Sequence, residues 1–127
     1  MSLRTPMGRV LGLGSAKEGA KHWWSQRVSA VGLALLSVWF LASLALLGGF
    51  DYGAVTAWIG NPCNAALLTL FVATLSYHSQ LGVQVIVEDY VHGALKTIMI
   101  VLSTFFHVAI AVLGIVAVLR IAFGSVA

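Results

Sequence analysis

The chain has 127 residues, of which 60% are hydrophobic and only 9% are Asp, Glu, Lys or Arg. A soluble domain needs about 25% charged residues to cover its surface, so this composition, with a mean hydropathy of +0.98, points to lipid as the surrounding solvent. The single cysteine, Cys63, excludes an intrachain disulfide and a Cys-x-x-Cys metal site. The formal charge of +3 has no basic, aromatic-interleaved surface behind it beyond the first 27 residues, which excludes nucleic acid as a partner.

The expected organisation is a basic N-terminal arm over residues 1–27 and a membrane domain over 28–127. Six of the eleven charges lie in the arm. Within it, "GLGSAKEG" at 12–19 has the glycines of a phosphate loop. It lacks the Gly-Lys-Ser/Thr ending and a preceding strand, and reads as part of the arm.

Crossing about 30 Å of hydrocarbon takes roughly 20 apolar residues. Val28 to Phe50 carries no charge and fits one crossing, about 28–49. Its apolar core exceeds the roughly 7–15 residues of a signal peptide, so it reads as a retained span. "GNPCN" at 60–64 is a turn, with Pro62 suited to the first turn of a helix. The second span is expected at about 62–87 and the third at about 97–119. The fold class is therefore an all-α membrane protein of three transmembrane helices.

Arg4, Arg9, Lys17, Lys21 and Arg27 precede the first span, Lys96 joins the second to the third, and Arg120 alone lies on the other side. The positive-inside rule then directs the N-terminus to the cytoplasm and the C-terminus to the opposite face. Trp23 and Trp24 are expected at the cytoplasmic interface and Trp58 at the far one. Small residues in the first and third spans, among them Ser29, Gly32, Ala109 and Gly114, favour close helix packing and partner helices in the bilayer.

"YHSQLGVQVIVEDYVH" at 77–92 places an ionisable residue deep in the second span. His78 stands nine residues before Val87, about 14 Å from the helix end. An ionisable group at that depth points to function, against the plain reading of a histidine hydrogen-bonded to a neighbouring helix. Gly82, one turn on, leaves room for a flat group beside the imidazole, and haem is such a group. Asp89, eleven residues on, returns to within about 20° of the same face near the interface. Tyr90 beside it can donate to a carbonyl oxygen while its ring packs on an apolar molecule. Glu88, His22 and His92 read as solvated interfacial residues.

His107, ten residues into the third span, lies at a depth matching His78 and is the rival ligand. Arg27 can pair with a carboxylate or a haem propionate, or act as a positive-inside anchor.

Taken together, "HSQLGVQVIVEDYVH" resembles the second-helix motif of the small, D-type hydrophobic anchor subunit of succinate dehydrogenase. His78, Gly82, Gln84, Asp89 and Tyr90 carry the pattern, with Arg27 in "WWSQRVSAV" before the first of three helices. The resemblance implies a subunit without catalysis of its own in a four-subunit succinate:ubiquinone oxidoreductase. Its partners would be a flavoprotein, an iron–sulfur subunit and a second, cytochrome b anchor, in the lipid bilayer of the bacterial inner membrane. It implies that His78 is one axial ligand of haem b, the other coming from the partner anchor. Tyr90 would hydrogen-bond ubiquinone, Asp89 would support that pocket, and Arg27 would lie near a haem propionate or the quinone. The alternatives are the anchor of quinol:fumarate reductase and a stand-alone membrane cytochrome b using His78 and His107.

Overall fold

The computed structural model describes residues 19–124 together with Met7, and within them the chain forms four helices. These are α1 (Gly19–Ala45), α2 (Tyr52–Gly60), α3 (Pro62–Tyr90) and α4 (Ala94–Gly124). Helices α1, α3 and α4 are each long and apolar enough to cross a membrane. No strand occurs among the described residues. An all-helical solution follows from lipid, where backbone amides find no water and each helix satisfies its own.

Helix α3 is the middle of the bundle, packed against α1 and against α4, with α2 bridging α3 and α4. The buried apolar core is small, formed by Leu36, Ala65, Leu81, Val87 and Val118. Most large apolar side chains, such as Leu35, Leu41, Phe105 and Leu113, point outward. This suits a hydrocarbon surround, where exposed apolar surface carries no hydration cost and helices associate through close packing.

Two glycines lie at these helix contacts, and one of them is required by the spacing. A Cβ on Gly32 of α1 would sit 3.8 Å from Thr74 Cγ2 of α3, an ordinary contact. A Cβ on Gly114 of α4 would come 2.9 Å from Val72 Cγ1, so only glycine fits there without a shift of the Val72 side chain.

Of the expected helix ends only the start at Pro62 is met; α3 runs on to Tyr90 and α4 to Gly124. Helix α1 begins at Gly19, not near residue 28, so Arg27 lies two turns inside it and does not open it. Residues 20–27 contain neither Pro nor Gly and include Lys21, Gln26 and Arg27, so nothing breaks the helix as it leaves the apolar span. It stops at Ala45, ahead of Gly48 and Gly49. The third span starts at Ala94 and not 97, because Gly93 at φ +68° already supplies the left-handed turn. The phosphate-loop resemblance lies at residues 12–18, outside the described residues, apart from Gly19.

Helix α2 is the element absent from the sequence reading. Asp51 caps it, accepting from the Ala54 amide at 3.1 Å. Asn61 then serves two helices, closing α2 through its backbone N–H to Trp58 O and opening α3 by accepting from Cys63 and Asn64 amides. Pro62 follows in the first turn, as its missing N–H allows. Aromatic rings tie α2 down: Trp58 stacks on Trp39 of α1 at 6.0 Å, and Phe40 stacks on Phe71 of α3 at 5.1 Å.

The close approach at Gly114 is directly testable. Gly114→Ala should cost about 1–3 kcal/mol through overpacking, because Val72 is held to one main rotamer in a helix. The expected readout is a lower Tm of the detergent-solubilised protein, largely restored when Val72→Ala is added.

Candidate functional site

His78 of α3 faces α1. Its Nδ1 lies 3.0 Å from Ser29 Oγ, and its Nε2 lies 3.4 Å from the side-chain nitrogen of Gln26. Ser29 also donates to the Gln26 backbone carbonyl at 3.1 Å. Gln26 and Ser29 stand one turn apart on α1, so a single helical face meets both edges of the imidazole. Ser29 is buried and His78 half-buried.

Gly82 completes this arrangement. A Cβ there would sit 3.8 Å from Gln26 Nε2, so the carboxamide lies between His78 and the bare face of Gly82. The other half of that carboxamide, Gln26 Oε1, is buried with no hydrogen-bond partner. An orphaned acceptor inside a helix pair is costly. It marks a space filled only by a flexible side chain, directly in front of a ring nitrogen. Beside it, an open groove of about 810 Å³ runs between α1 and α3, bordered by Ser29, Gly32, Leu36, Ala73 and Tyr77 among others. Ser29 lines that groove, whereas His78, Gln26 and Gly82 do not; the fit to a flat, histidine-bound group rests on the unpartnered Gln26 carboxamide between His78 Nε2 and Gly82. Among the described residues no cluster of three or more His, Cys, Asp or Glu can hold a bare metal ion.

His107 is differently engaged. Its Nδ1 lies 2.8 Å from the Ser103 carbonyl, and its Nε2 lies 3.1 Å from Ser79 Oγ. A carbonyl only accepts, so Nδ1 carries the proton and Nε2 accepts from Ser79. Both nitrogens are spent, on α4 itself and on α3. The structure does not bring His78 and His107 together, since one turns to α1 and the other to Ser79. A row of polar residues continues from there along the α3–α4 seam. Gln80 donates to Gln84 at 3.1 Å and to Thr104 at 3.2 Å, and Gln84 donates to Glu88 at 2.8 Å. Glu88, exposed as expected, accepts the last bond of this series.

The remaining candidates lie at the end of α3. Tyr90 is its last residue and 80% exposed, and Asp89 is exposed next to it. Arg27 is exposed, with its guanidinium 5.5 Å from the centre of the Trp23 ring. It makes no ion pair with Asp89 or Glu88 among the described residues. Lys96 caps α3 by donating to the Glu88 carbonyl at 2.9 Å. His92 is exposed as expected, whereas His22 has its Nε2 buried without a partner.

A family model described as succinate dehydrogenase/fumarate reductase transmembrane subunit matches residues 1–118. The chain belongs to this family. It is 32% identical over 122 residues to the succinate dehydrogenase hydrophobic membrane anchor subunit of Paracoccus denitrificans, covering 96% of this chain and 95% of that one. It is 36% identical over 100 residues to the protein of the same description from Rickettsia conorii, covering 76% and 79% of the two chains. Similarity extends to the mitochondrial succinate dehydrogenase [ubiquinone] cytochrome b small subunit of Bos taurus, 36% identical over 95 residues, 71% of this chain and 48% of that one. No solved structure matches significantly.

Gln26 and Ser29 beside His78, and Ser79 beside His107, are histidine partners that the sequence pattern does not single out, Ser29 fitting there as a small packing residue. The available signal was the pair Gln26 and Ser29, one turn apart just below Trp23 and Trp24, in a helix antiparallel to that of His78. The Ser79–His107 link predicts a measurable coupling. In a double-mutant cycle of Ser79→Ala and His107→Phe followed by thermal unfolding, the interaction should be about 0.6 kcal/mol and no more than about 1.7, as for other hydrogen bonds between membrane helices.

Proposed function

We propose that the chain serves as the hydrophobic membrane anchor subunit of a succinate dehydrogenase, binding haem b through His78 and contributing Tyr90 and Asp89 to the site of ubiquinone reduction. The observation that carries this reading is His78 itself, deep in the second span, with Nε2 facing a displaceable carboxamide beside Gly82. Haem b held there would supply a one-electron store between the iron–sulfur subunit and the quinone. His78 would contribute a ligand nitrogen, Gly82 room beside it, and Arg27 a cation for a propionate or the quinone network. The other haem ligand would come from the partner cytochrome b anchor, because His107 turns to Ser79 and Ser103 at the α3–α4 contact while His78 faces α1.

Ubiquinone has an apolar tail and a head that must take up protons. Tyr90 and Asp89 stand where α3 leaves its apolar run, so a phenol O–H can meet a quinone carbonyl while the tail stays in lipid. Their exposure on this chain fits a pocket completed by the iron–sulfur subunit and the second anchor. The clustering of Lys and Arg at this end of the bundle directs it to the cytoplasm, in the inner membrane of a bacterium. The flavoprotein would bind outside the bilayer on that side. The family also includes fumarate reductase subunits, which run the reverse chemistry, but the named relatives are succinate dehydrogenase anchors and favour the succinate direction.

Two experiments test this on the purified complex. His78→Ala should abolish or strongly perturb the b-type reduced-minus-oxidised spectrum, while His107→Ala leaves it largely intact; the reverse pattern overturns the ligand assignment. Tyr90→Phe should slow ubiquinone reduction by roughly 10-fold or more, the loss of one hydrogen bond worth about 1.4 kcal/mol, while succinate oxidation with an artificial acceptor is unchanged. Equal rates with ubiquinone would remove Tyr90 from the pocket.

A further inference from the structure

We infer that Ser29 is a positioning residue for His78. Its hydroxyl holds the imidazole in the tautomer with the proton on Nδ1 and the lone pair on Nε2, facing Gln26 and Gly82. This rests on the reading of His78 as an axial ligand and adds what sets its orientation and its donor strength.

The proton assignment follows from the hydrogen-bond inventory. A serine hydroxyl has one proton, and Ser29 donates it to the Gln26 backbone carbonyl at 3.1 Å. At its 3.0 Å contact with His78 Nδ1 the hydroxyl can then only accept, so Nδ1 is the protonated nitrogen. The opposite ring edge agrees, because the Gln26 amide nitrogen, a donor, faces Nε2 at 3.4 Å. Moving the proton to Nε2 would set donor against donor there, unless the carboxamide turned over and Ser29 released the carbonyl. The bond back to a carbonyl three residues earlier also keeps the hydroxyl in one place. Ser29 is only 8% exposed, so little competes for the contact.

The chemical consequence concerns the ligand nitrogen. A hydrogen bond donated by the far ring N–H fixes the plane of a ligating imidazole and raises its basicity. A more basic axial nitrogen favours the ferric state and lowers the haem potential. Ser29 would therefore tune the haem without touching it. Gln26 plays the opposite part: its carboxamide meets the lone pair at 3.4 Å and would have to swing aside for that nitrogen to serve as a ligand, which a flexible side chain allows.

The test uses the assembled complex purified with Ser29→Ala, Ser29→Thr or His78→Ala. Threonine keeps a hydroxyl able to reach the carbonyl one turn back. Haem content, the low-spin electron paramagnetic resonance signal and the midpoint potential are measured. Ser29→Ala should raise the potential and shift the signal, or lower haem retention, while Ser29→Thr matches the unaltered complex. An unchanged potential and signal in Ser29→Ala, or equal disturbance by alanine and threonine, overturns the role of Ser29. Full haem in His78→Ala overturns the ligand reading itself, so the two failures are distinguishable.

Discussion

Hydrocarbon offers no hydrogen-bond partners, so each polar side chain inside a span must find one on its own helix or a neighbouring one. Much of the geometry of this bundle follows from that constraint acting on three consecutive residues of α3. Successive positions on a helix turn by about 100°, and His78, Ser79 and Gln80 use that rotation to address both neighbours. His78 reaches Ser29 and Gln26 on α1, whereas Ser79 and Gln80 reach His107 and Thr104 on α4. One stretch of the middle helix therefore fixes its rotation relative to both outer helices.

Energetically these links are modest. Hydrogen bonds between membrane helices average about 0.6 kcal/mol, too little to hold the bundle by themselves. Adhesion comes from close packing, as at Gly114 against Val72 and Gly32 against Thr74, and from the aromatic group of Trp39, Phe40, Trp58 and Phe71. The polar contacts act as selectors among packed arrangements. At His78 they also select a proton position, which matters to chemistry more than to stability.

The two ends of the bundle have different characters. At the Asp51–Asn64 end, capped helices meet at Asn61 and aromatic rings pin α2, which closes the structure within the chain. At the other end, Arg27, Asp89 and Tyr90 stand exposed, with no side-chain hydrogen bond or ion pair between them. In an anchor-subunit family this is the end where other subunits would complete a site, and its side chains are left available for that.

Composition and spacing by themselves determined the class of the molecule: three spans, the turn at Asn61–Pro62, and the depth of His78 and His107. Depth is legible because a helix rises about 1.5 Å per residue whatever surrounds it. The motif from His78 to Tyr90 was legible for the same reason, as fixed spacing on one helix. The rotation of each helix about its axis was not, because it depends on which neighbour packs where. Only the tertiary structure decided that His78 turns to Ser29 and Gln26, that His107 turns away to Ser79, and that residues 52–60 fold into a helix of their own. Those choices are made by side chains far apart in sequence satisfying one another in lipid, and local pattern does not encode them.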